Sequence, residues 1–469
     1  MDLSTLLESP EWKFSSSNTK VLLDTDPALA TETLRWNAYH APTYKAAIFP
    51  GTEEDAQKAI QLAISNKVPF LVSSGGRHGY TTTLGELQGG LSIDLRQLDS
   101  IEIDEAANTV KVGGGVIVSK LADALYAAGK EIPVGVCSEV GYLGFVLGGG
   151  IGRYLGLHGL GIDSLLSVRM VTGTGQIVTA SASVNSDLFW GMRGAGFNFG
   201  GVTSATFKIY PLSNGGQAQN ADLYYAGTQA ADVFRAVQKI KDDGQPQALV
   251  VLPFIAFSQE AGGAMLIINM TYFGAEEEFK AIVQPFLHIR PQMQVLGTIP
   301  SNRVTQEAVS GIDAKMKLKG AKHSIFGANL RKIEAETWIG VFEKIDAFYK
   351  ATPAGVISGF VLELYSSEGM KKVADEETAW PCRDVEGFAL LEVAWLDPSA
   401  EDACNTFCRE LRQFIAQNSG YDGLKTYVSY AHGEETLEEK YGTKKLENLR
   451  VLKQKYDPNN MFGWNNSIQ

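Results

Sequence analysis

Cysteine is scarce in this chain, and the few cysteines present do not form a recognisable site. Four cysteines among 469 residues are too few for a disulfide framework, and no zinc-type spacing or HExxH motif accompanies them. Cys404 and Cys408 share a helical stripe with Leu411 and Ile415, which predicts the core face of a helix. We therefore expect no bound metal and a reducing compartment.

Excess positive charge and long apolar runs are also lacking. The net charge is −12, which argues against nucleic acid or an anionic membrane as a partner. No apolar run is long enough to span a bilayer. Residues 1–14 contain neither the basic region nor the apolar region of a secretory signal. This pattern predicts a cytoplasmic protein, or a secreted one if a leader has been removed.

Glycine, by contrast, is abundant: the chain has 49 glycines, and clusters lie at 75–79, 113–115 and 148–152. Neither a P-loop nor a convincing Rossmann fingerprint is among them. Several glycine-rich turns that converge on one elongated ligand would offer backbone N–H groups to a pyrophosphate. Ordinary surface turns are the alternative interpretation.

The remaining pattern predicts two domains, for which the chain is long enough. Residues 212–220 are expected to form a linker. Strands predicted at 247–256, 264–272, 356–365 and 387–395 alternate with amphipathic helices, which is typical of an α+β domain with a mainly antiparallel sheet. We therefore predict domains at 1–211 and 212–430, with a C-terminal segment at 431–469 that returns to the first domain.

Several segments, taken in order, resemble the berberine-bridge-enzyme-like family of the vanillyl-alcohol-oxidase superfamily. Residues 74–80 look like its GGxHxY loop, 135–141 are similar to its G-x-C-x-x-V-G segment, and 148–152 match its GGGxG. Residues 187–200 resemble its D-L-[FW]-W and G-[GA]-G motifs, and 456–462 resemble its C-terminal signature. The resemblance runs from about residue 36 to the end of the chain.

The resemblance implies a PCMH-type FAD-binding domain of two α/β subdomains, formed by 1–211 and 431–469, with 212–430 as the substrate domain. It also implies covalent FAD, with an 8α-histidyl bond to His78 and a 6-S-cysteinyl bond to Cys137. Imidazole and thiolate are nucleophiles, and an oxidised flavin is an electrophile. Further flavin-binding positions implied by the motifs are Ser74, Gly75, Gly76, Arg77, Gly79, Val140, Gly141, Gly144, Gly148, Gly149, Gly152, Asn198, Gly200, Val202, Asn460 and Phe462.

The chain departs from the family pattern at four positions. Ser73 stands where many relatives have arginine, and Arg77 is an extra residue before the histidine of the loop. Ser138 stands where many relatives have proline. Cys382 occupies the position of a family histidine, which leaves the composition of the pocket wall open. None of the four is a linkage residue.

Two side chains are candidate proton acceptors. The strand at 388–395 places Glu392 on one face with Leu390, and a carboxylate between apolar neighbours is rarely buried without a partner. An exposed sheet face is the alternative. Tyr430 matches the second tyrosine of the family's Y-x-N-Y, which commonly takes the substrate hydroxyl proton, although a core aromatic is the alternative. Tyr142, Glu363 and Tyr365 are weaker candidates for the substrate pocket.

Val140 matches a position that, in the family, lies beside the flavin and controls the access of dioxygen. Valine at this position is typical of oxidases. We expect an FAD-linked oxidase that acts on an alcohol, amine or related carbon centre of a small molecule in secondary-metabolite biosynthesis. Dioxygen is the expected acceptor, and a monomer or weak homodimer is the expected state. An oligosaccharide oxidase is one alternative, and a flavin-dependent cyclase or isomerase without net redox is the other.

Overall fold

Four β-sheets organise residues 3–469, the part of the chain that the computed structural model describes. The first sheet contains β1 (Lys20–Leu23), β2 (Tyr44–Phe49), β3 (Phe70–Ser73) and β4 (Gly90–Asp94). Its order is β1-β2-β4-β3, in which β4 is parallel to both β2 and β3, whereas β1 is antiparallel to β2. Every residue of β4 is buried, as expected for an inner strand of a covered sheet.

Three helices accompany this sheet: α1 (Leu3–Glu8), α2 (Ala28–Glu32) and α3 (Glu53–Ser65). Helix α3 begins after Thr52, whose hydroxyl oxygen accepts a hydrogen bond from the Asp55 N–H at 3.1 Å. This contact makes Thr52 the N-cap of the helix, a position at which threonine is preferred. Strand β3 follows α3 and leads directly into the loop at 74–80, so the packing of α3 on the sheet positions that loop.

A second sheet and a short strand pair come next in the chain. Their strands are β5 (Ile101–Asp104), β6 (Thr109–Gly113), β7 (Lys130–Glu131), β8 (Leu165–Thr172), β9 (Ile177–Ser181), β10 (Gly200–Lys208) and β11 (Tyr210–Pro211). The five-stranded sheet is antiparallel with the order β5-β6-β10-β8-β9, and β7 pairs with β11. The intervening helices are α4 (Val118–Ala127), α5 (Tyr142–Leu147), α6 (Leu155–His158) and α7 (Ser186–Ala195).

The largest sheet has seven antiparallel strands in the order β15-β12-β14-β13-β17-β18-β16. They are β12 (Gln217–Tyr225), β13 (Leu249–Ser258), β14 (Gly263–Tyr272), β15 (Met293–Pro300), β16 (His323–Leu330), β17 (Gly359–Tyr365) and β18 (Gly387–Ala394). Its helices are α8 (Ala230–Asp242), α9 (Glu276–His288), α10 (Val304–Gly311), α11 (Asp313–Met316), α12 (Ala335–Ala351) and α13 (Glu401–Gln417).

Helices α8, α12 and α13 pack their apolar sides into one core with this sheet. Cys404 and Cys408 lie fully buried in that core, which confirms the predicted core face of α13. The expected linker at 212–220 is wrong in its second half, because β12 already begins at Gln217. The polar residues of β12 hydrogen-bond along both β14 and β15 and are therefore part of the sheet.

The chain ends with α14 (Leu437–Tyr441), α15 (Thr443–Tyr456) and a turn-rich tail. The Phe462 ring packs edge-on against Phe70 of β3, with ring centroids 5.2 Å apart. The tail thus reaches the first sheet, although the domain limits at 211 and 430 stay predictions. None of the helices between residues 3 and 469 is long and apolar enough to cross a bilayer.

Candidate functional site

A cavity of about 320 Å³ lies where the first sheet, the glycine-rich turns, the large sheet and the C-terminal tail meet. One part of its wall is formed by the loop around 73–81, by 135–151, by 200–202 and by the tail around 462–466. The other part of the wall is more apolar and contains Trp36, Tyr80, Met316, Ile325, Leu390, Glu392, Tyr427 and Tyr430.

Many of the predicted flavin-binding residues line this cavity. They are Ser74, Arg77, His78, Gly79, Cys137, Val140, Gly141, Gly144, Gly200, Val202 and Phe462. The loops that carry them come from distant parts of the chain, and the fold brings them to one wall. Each of the three glycine-rich clusters named in the sequence analysis places a residue on the cavity wall, namely Gly79, Gly114 and Ile151.

The other predicted flavin-binding residues lie behind the wall, where they let backbones approach each other closely. A Cβ atom on Gly75 would lie 2.3 Å from the Gly115 carbonyl oxygen, and one on Gly76 would lie 2.3 Å from the Glu139 carbonyl oxygen. A Cβ atom on Gly152 would lie 2.0 Å from the Val134 carbonyl oxygen. Glycine is needed at these positions because a side chain would push apart the two backbone segments that meet there. The remaining predicted residues behind the wall are Gly148, Gly149, Asn198 and Asn460.

His78 and Cys137 face each other across the cavity wall, with 4.0 Å between the histidine Nε2 and the cysteine Sγ. The imidazole also stacks on Trp36, with ring centroids 5.6 Å apart. Burial lowers the pKa of His78 to about 4, so its ring is neutral at pH 7 and keeps a nucleophilic lone pair. Burial raises the pKa of Cys137 to about 12, so its thiol holds its proton.

The polar atoms of this wall fit a bound flavin nucleotide. Ser74 Oγ is buried and has no hydrogen-bond partner among the residues that the structure describes. Buried polar atoms of native proteins are rarely left unpaired, so a ligand that supplies partners is expected here. The close-packed glycines around the same wall leave main-chain groups free to meet an elongated ligand.

An ion-pair chain holds the His78 loop from behind. Arg77 adopts a left-handed backbone conformation with φ of +54°, and its guanidinium lies 3.1 Å from the Asp94 carboxylate. Asp94 is also paired with Arg96 at 2.8 Å, and Arg77 donates a further hydrogen bond to the Glu32 carbonyl oxygen. Arg77 therefore fastens the His78 loop to β4 and α2.

Tyr430 lines the cavity and is backed by a buried carboxylate. Its hydroxyl donates to Glu363 Oε2 at 3.0 Å, and the Tyr365 hydroxyl donates to Glu363 Oε1 at 3.1 Å. Glu363 is 1% exposed and does not line the cavity itself. Burial raises the pKa of Glu363 to about 7. Burial and the nearby Glu363 raise the pKa of Tyr430 well above its usual value.

Glu392 also lines the cavity, on the face of β18 that carries Leu390. Its Oε1 lies 2.6 Å from Nδ1 of His323, and the His323 ring stacks on Trp36 with centroids 4.6 Å apart. The sequence predicts a role for neither this histidine nor this tryptophan. No motif marks either residue, and the contact of His323 with Glu392 arises only when β16 is placed beside β18.

Tyr142 lies in the core rather than on the cavity wall. Its hydroxyl donates to the Pro133 carbonyl oxygen at 3.3 Å, and its ring packs edge-on against Phe207. Cys382 is buried, and its carbonyl oxygen accepts a hydrogen bond from the Trp380 indole at 2.6 Å. Neither residue lines the cavity.

Comparisons with known proteins agree with this architecture. The FAD binding domain family matches residues 44–181, and the berberine and berberine-like family matches residues 426–469. The FAD-linked oxidoreductase srdI of Neurospora crassa is 39% identical, over 93% of this chain and 87% of its own length. The matched segments therefore include the loops at 74–80 and 135–141, which carry His78 and Cys137, and the C-terminal tail.

Two solved structures show the same fold. BBE-like 1 of Physcomitrella patens aligns with a TM-score of 0.84 at 22% identity and covers 96% of each chain. A glucooligosaccharide oxidase of Acremonium strictum, described as having a novel flavinylation, aligns with a TM-score of 0.83 at 21% identity and also covers 96% of each chain. The predicted α+β architecture with a PCMH-type FAD-binding domain is confirmed. The chain belongs to the berberine-like family of FAD-linked oxidoreductases.

Proposed function

We propose that this enzyme binds FAD covalently through His78 and Cys137 and oxidises an alcohol, amine or related carbon centre of a small molecule. The proposal is supported by the placement of both side chains on one cavity wall, 4.0 Å apart. Bound FAD would accept two electrons from the substrate, and dioxygen would reoxidise the reduced flavin. The protein's own task is to orient the substrate, exclude water and accept a proton.

The observation that carries the catalytic part of the proposal is the hydrogen bond from Tyr430 to Glu363, 3.0 Å long. A substrate hydroxyl placed against Tyr430 can give its proton to the phenol oxygen while the phenol proton moves to the carboxylate. Glu363 is suited to receive it because its pKa is raised to about 7, close to the pH at which a general base works best. The Tyr365 hydroxyl supports the carboxylate from its other oxygen.

Glu392 is the second candidate base. It reaches the cavity directly, but it is already paired with His323 at 2.6 Å. This contact occupies one oxygen of the carboxylate and holds it in place. We therefore assign the main proton-accepting role to Tyr430 with Glu363, and an orienting or secondary role to Glu392.

The wall around these groups favours a small apolar substrate. Trp36, Met316, Ile325 and Leu390 line the same cavity as Glu392 and Tyr430, and such a lining suits an aromatic or aliphatic alcohol of secondary metabolism. The similarity to a glucooligosaccharide oxidase makes an oligosaccharide the alternative substrate. Turnover of cello- or chito-oligosaccharides in preference to apolar alcohols would favour that alternative.

Anaerobic reduction of the flavin tests the proposal. A panel of apolar alcohols and amines is added to the enzyme without oxygen, and loss of the visible flavin absorbance is followed. Tyr430→Phe and Glu363→Gln are each expected to slow reduction by ~10²-fold or more, whereas the matched control Tyr365→Phe is expected to have a much smaller effect. Product formation without flavin reduction would support a cyclase or isomerase instead, and full reduction rates in both variants would refute the assigned base.

A further inference from the structure

Glu392 has few neighbours on the sheet that could hold its side chain in place. Strand β18 lies between β16 and β17, and the residues directly opposite Glu392 are Ile325 on one side and Gly359 on the other. An isoleucine side chain offers no hydrogen-bond donor, and glycine has no side chain. The carboxylate on the cavity wall would therefore be free to turn if no other residue contacted it.

His323 supplies such a contact from a diagonal position on β16. It stands two residues before Ile325 and on the same face of the sheet, within reach of a long side chain on the neighbouring strand. Its Nδ1 lies 2.6 Å from Glu392 Oε1, a distance at which the two atoms attract each other only if the nitrogen carries a proton. Among residues 3–469, His323 is the only ion-pair partner of Glu392.

The imidazole of His323 is itself fixed by its surroundings. Its ring stacks on Trp36, with centroids 4.6 Å apart and an angle of 5° between the two planes. The Trp36 indole N–H donates to the Met316 carbonyl oxygen. The His323 N–H donates to Asn37 Oδ1 at 3.0 Å, and the Asn37 amide donates to the His323 carbonyl oxygen at 2.7 Å. Ring and backbone are both held, so the imidazole has little freedom to leave the carboxylate.

We infer that His323 is a positioning residue that holds Glu392 in one orientation for the substrate, an inference that rests on the oxidation proposed above. The imidazole occupies one carboxylate oxygen and leaves the other to accept a hydrogen bond from a second donor group of the substrate. Tyr430, on the wall of the same cavity, meets the hydroxyl that is oxidised. Such two-point binding selects an alcohol that carries a further hydroxyl or ammonium group.

The test measures substrate binding and flavin reduction separately. The probes are two alcohols of the panel that differ only by a second hydroxyl group, such as hydroxybenzyl and benzyl alcohol. Each is mixed anaerobically with the holoenzyme, and the concentration dependence of flavin bleaching gives the substrate Kd and the limiting reduction rate. The wild type is expected to bind the alcohol with the second hydroxyl group more tightly, and equal Kd values for the two alcohols would contradict two-point binding.

His323→Phe keeps an aromatic ring against Trp36 but removes the donor to Glu392. For the alcohol with the second hydroxyl group, it is expected to raise Kd by ~10-fold, the usual effect of one lost hydrogen bond to a charged group. The limiting rate should change by less than about threefold, because binding rather than the chemical step is weakened. For the alcohol without that group, the variant and the wild type should have the same Kd.

Two further variants separate a donor from a stacking ring. His323→Asn keeps a side-chain N–H near the place of Nδ1 and is expected to hold Kd within about threefold of the wild-type value. Glu392→Gln should raise Kd, and His323→Phe added to it should cause no further increase, because His323 acts only through Glu392. Additive increases would overturn the inference, as would equal losses in His323→Asn and His323→Phe.

A matched control lies outside the cavity. His158 Nε2 is 2.7 Å from Glu131 Oε1, and the His158 ring stacks on Tyr210 with centroids 3.8 Å apart. This second histidine–glutamate pair is not part of the cavity wall. His158→Phe likewise keeps a stacked ring and loses a carboxylate contact, but it is expected to leave the Kd of both alcohols unchanged.

Nuclear magnetic resonance keeps the inference testable if His323→Phe does not fold. In holoenzyme with isotope-labelled histidine, the Nδ1 resonance of His323 should move strongly in Glu392→Gln, while the ring resonances of His158 stay in place. An unmoved His323 resonance would overturn the inference, as would a wild-type Kd in His323→Phe. A wild-type flavin that no alcohol or amine of the panel reduces is a different result, because it would contradict the oxidation proposed above.

Discussion

Burial sets the protonation state of the side chains around the cavity. It lowers the pKa of His78 to about 4 and raises that of Glu363 to about 7. The imidazole is therefore neutral, and Glu363 titrates within the working range of most enzymes. In the function proposed above, these two shifts suit His78 to act as a nucleophile and Glu363 to act as a proton acceptor.

The pH dependence of flavin reduction should report Glu363. Because the carboxylate form accepts the proton and the pKa is raised to about 7, activity is lost below that pH and gained above it. We expect kcat/KM to rise with pH through an apparent pKa near 7, and Glu363→Gln to abolish this limb while it lowers the rate. Stopped-flow reduction between pH 5 and 9 measures both effects. An unchanged limb in Glu363→Gln would assign the titration to another group.

Dioxygen access should depend on Val140, which lines the cavity three residues after Cys137. Val140→Ile adds a methylene to a tightly packed wall and is expected to fill the void that dioxygen enters. Reoxidation of the reduced flavin by air should be fast in the wild type and strongly slowed in the variant. Val136→Ile adds the same volume elsewhere on the wall and should slow reoxidation much less. A wild-type reduced flavin that survives for minutes in air would contradict the oxidase assignment.

At the scale of single elements, the sequence predicted apolar faces well and polar strands poorly. The predicted strand at 387–395 is β18, Gly387–Ala394, because its alternation of apolar and polar residues reflects a half-buried face. The start of β12 falls within the predicted linker at 212–220 because its residues, such as Gln219 and Asn220, are polar. In the fold Asn269 donates to Asn220 and Asp222 at 2.8 and 2.7 Å, and no local pattern reveals such distant partners.

The C-terminal tail is held by a buried ion pair at the end of α15. Lys453 Nζ lies 2.7 Å from Asp457 Oδ2 and donates to the carbonyl oxygens of Asn198 and Phe462. Asp457 in turn accepts the N–H groups of Met461 and Phe462. The pair therefore positions the tail, including the Phe462 side chain that reaches the cavity.

Removal of one partner should destabilise the protein strongly. We expect Lys453→Ala to lower the free energy of unfolding by about 3 kcal/mol or more, because it leaves Asp457 buried without its cation. The control Lys455→Ala removes an exposed ion pair to Asp187 and should cost no more than about 1 kcal/mol. Urea unfolding of both variants measures the difference, and equal effects would show that the tail is held by other contacts.

At the scale of the whole molecule, the site is assembled from parts that are far apart in the sequence. Trp36 stacks on both His78 and His323, and Asp313 bonds the Cys137 loop. The sequence predicted the cavity-lining loops because each carries its own motif. It did not predict the residues that join them, since their role depends on packing between the large sheet and the first half of the chain.

The most direct test of the account is the state of the flavin in denatured protein. Acid-precipitated wild type should stay yellow, and its mass should exceed that of the chain by one FAD. His78→Ala should retain flavin through sulfur and Cys137→Ala through imidazole, and only the double variant should release all of it. Complete release from His78→Ala would mean that Cys137 forms no bond to the flavin. Release of the flavin from the wild type would contradict covalent attachment altogether.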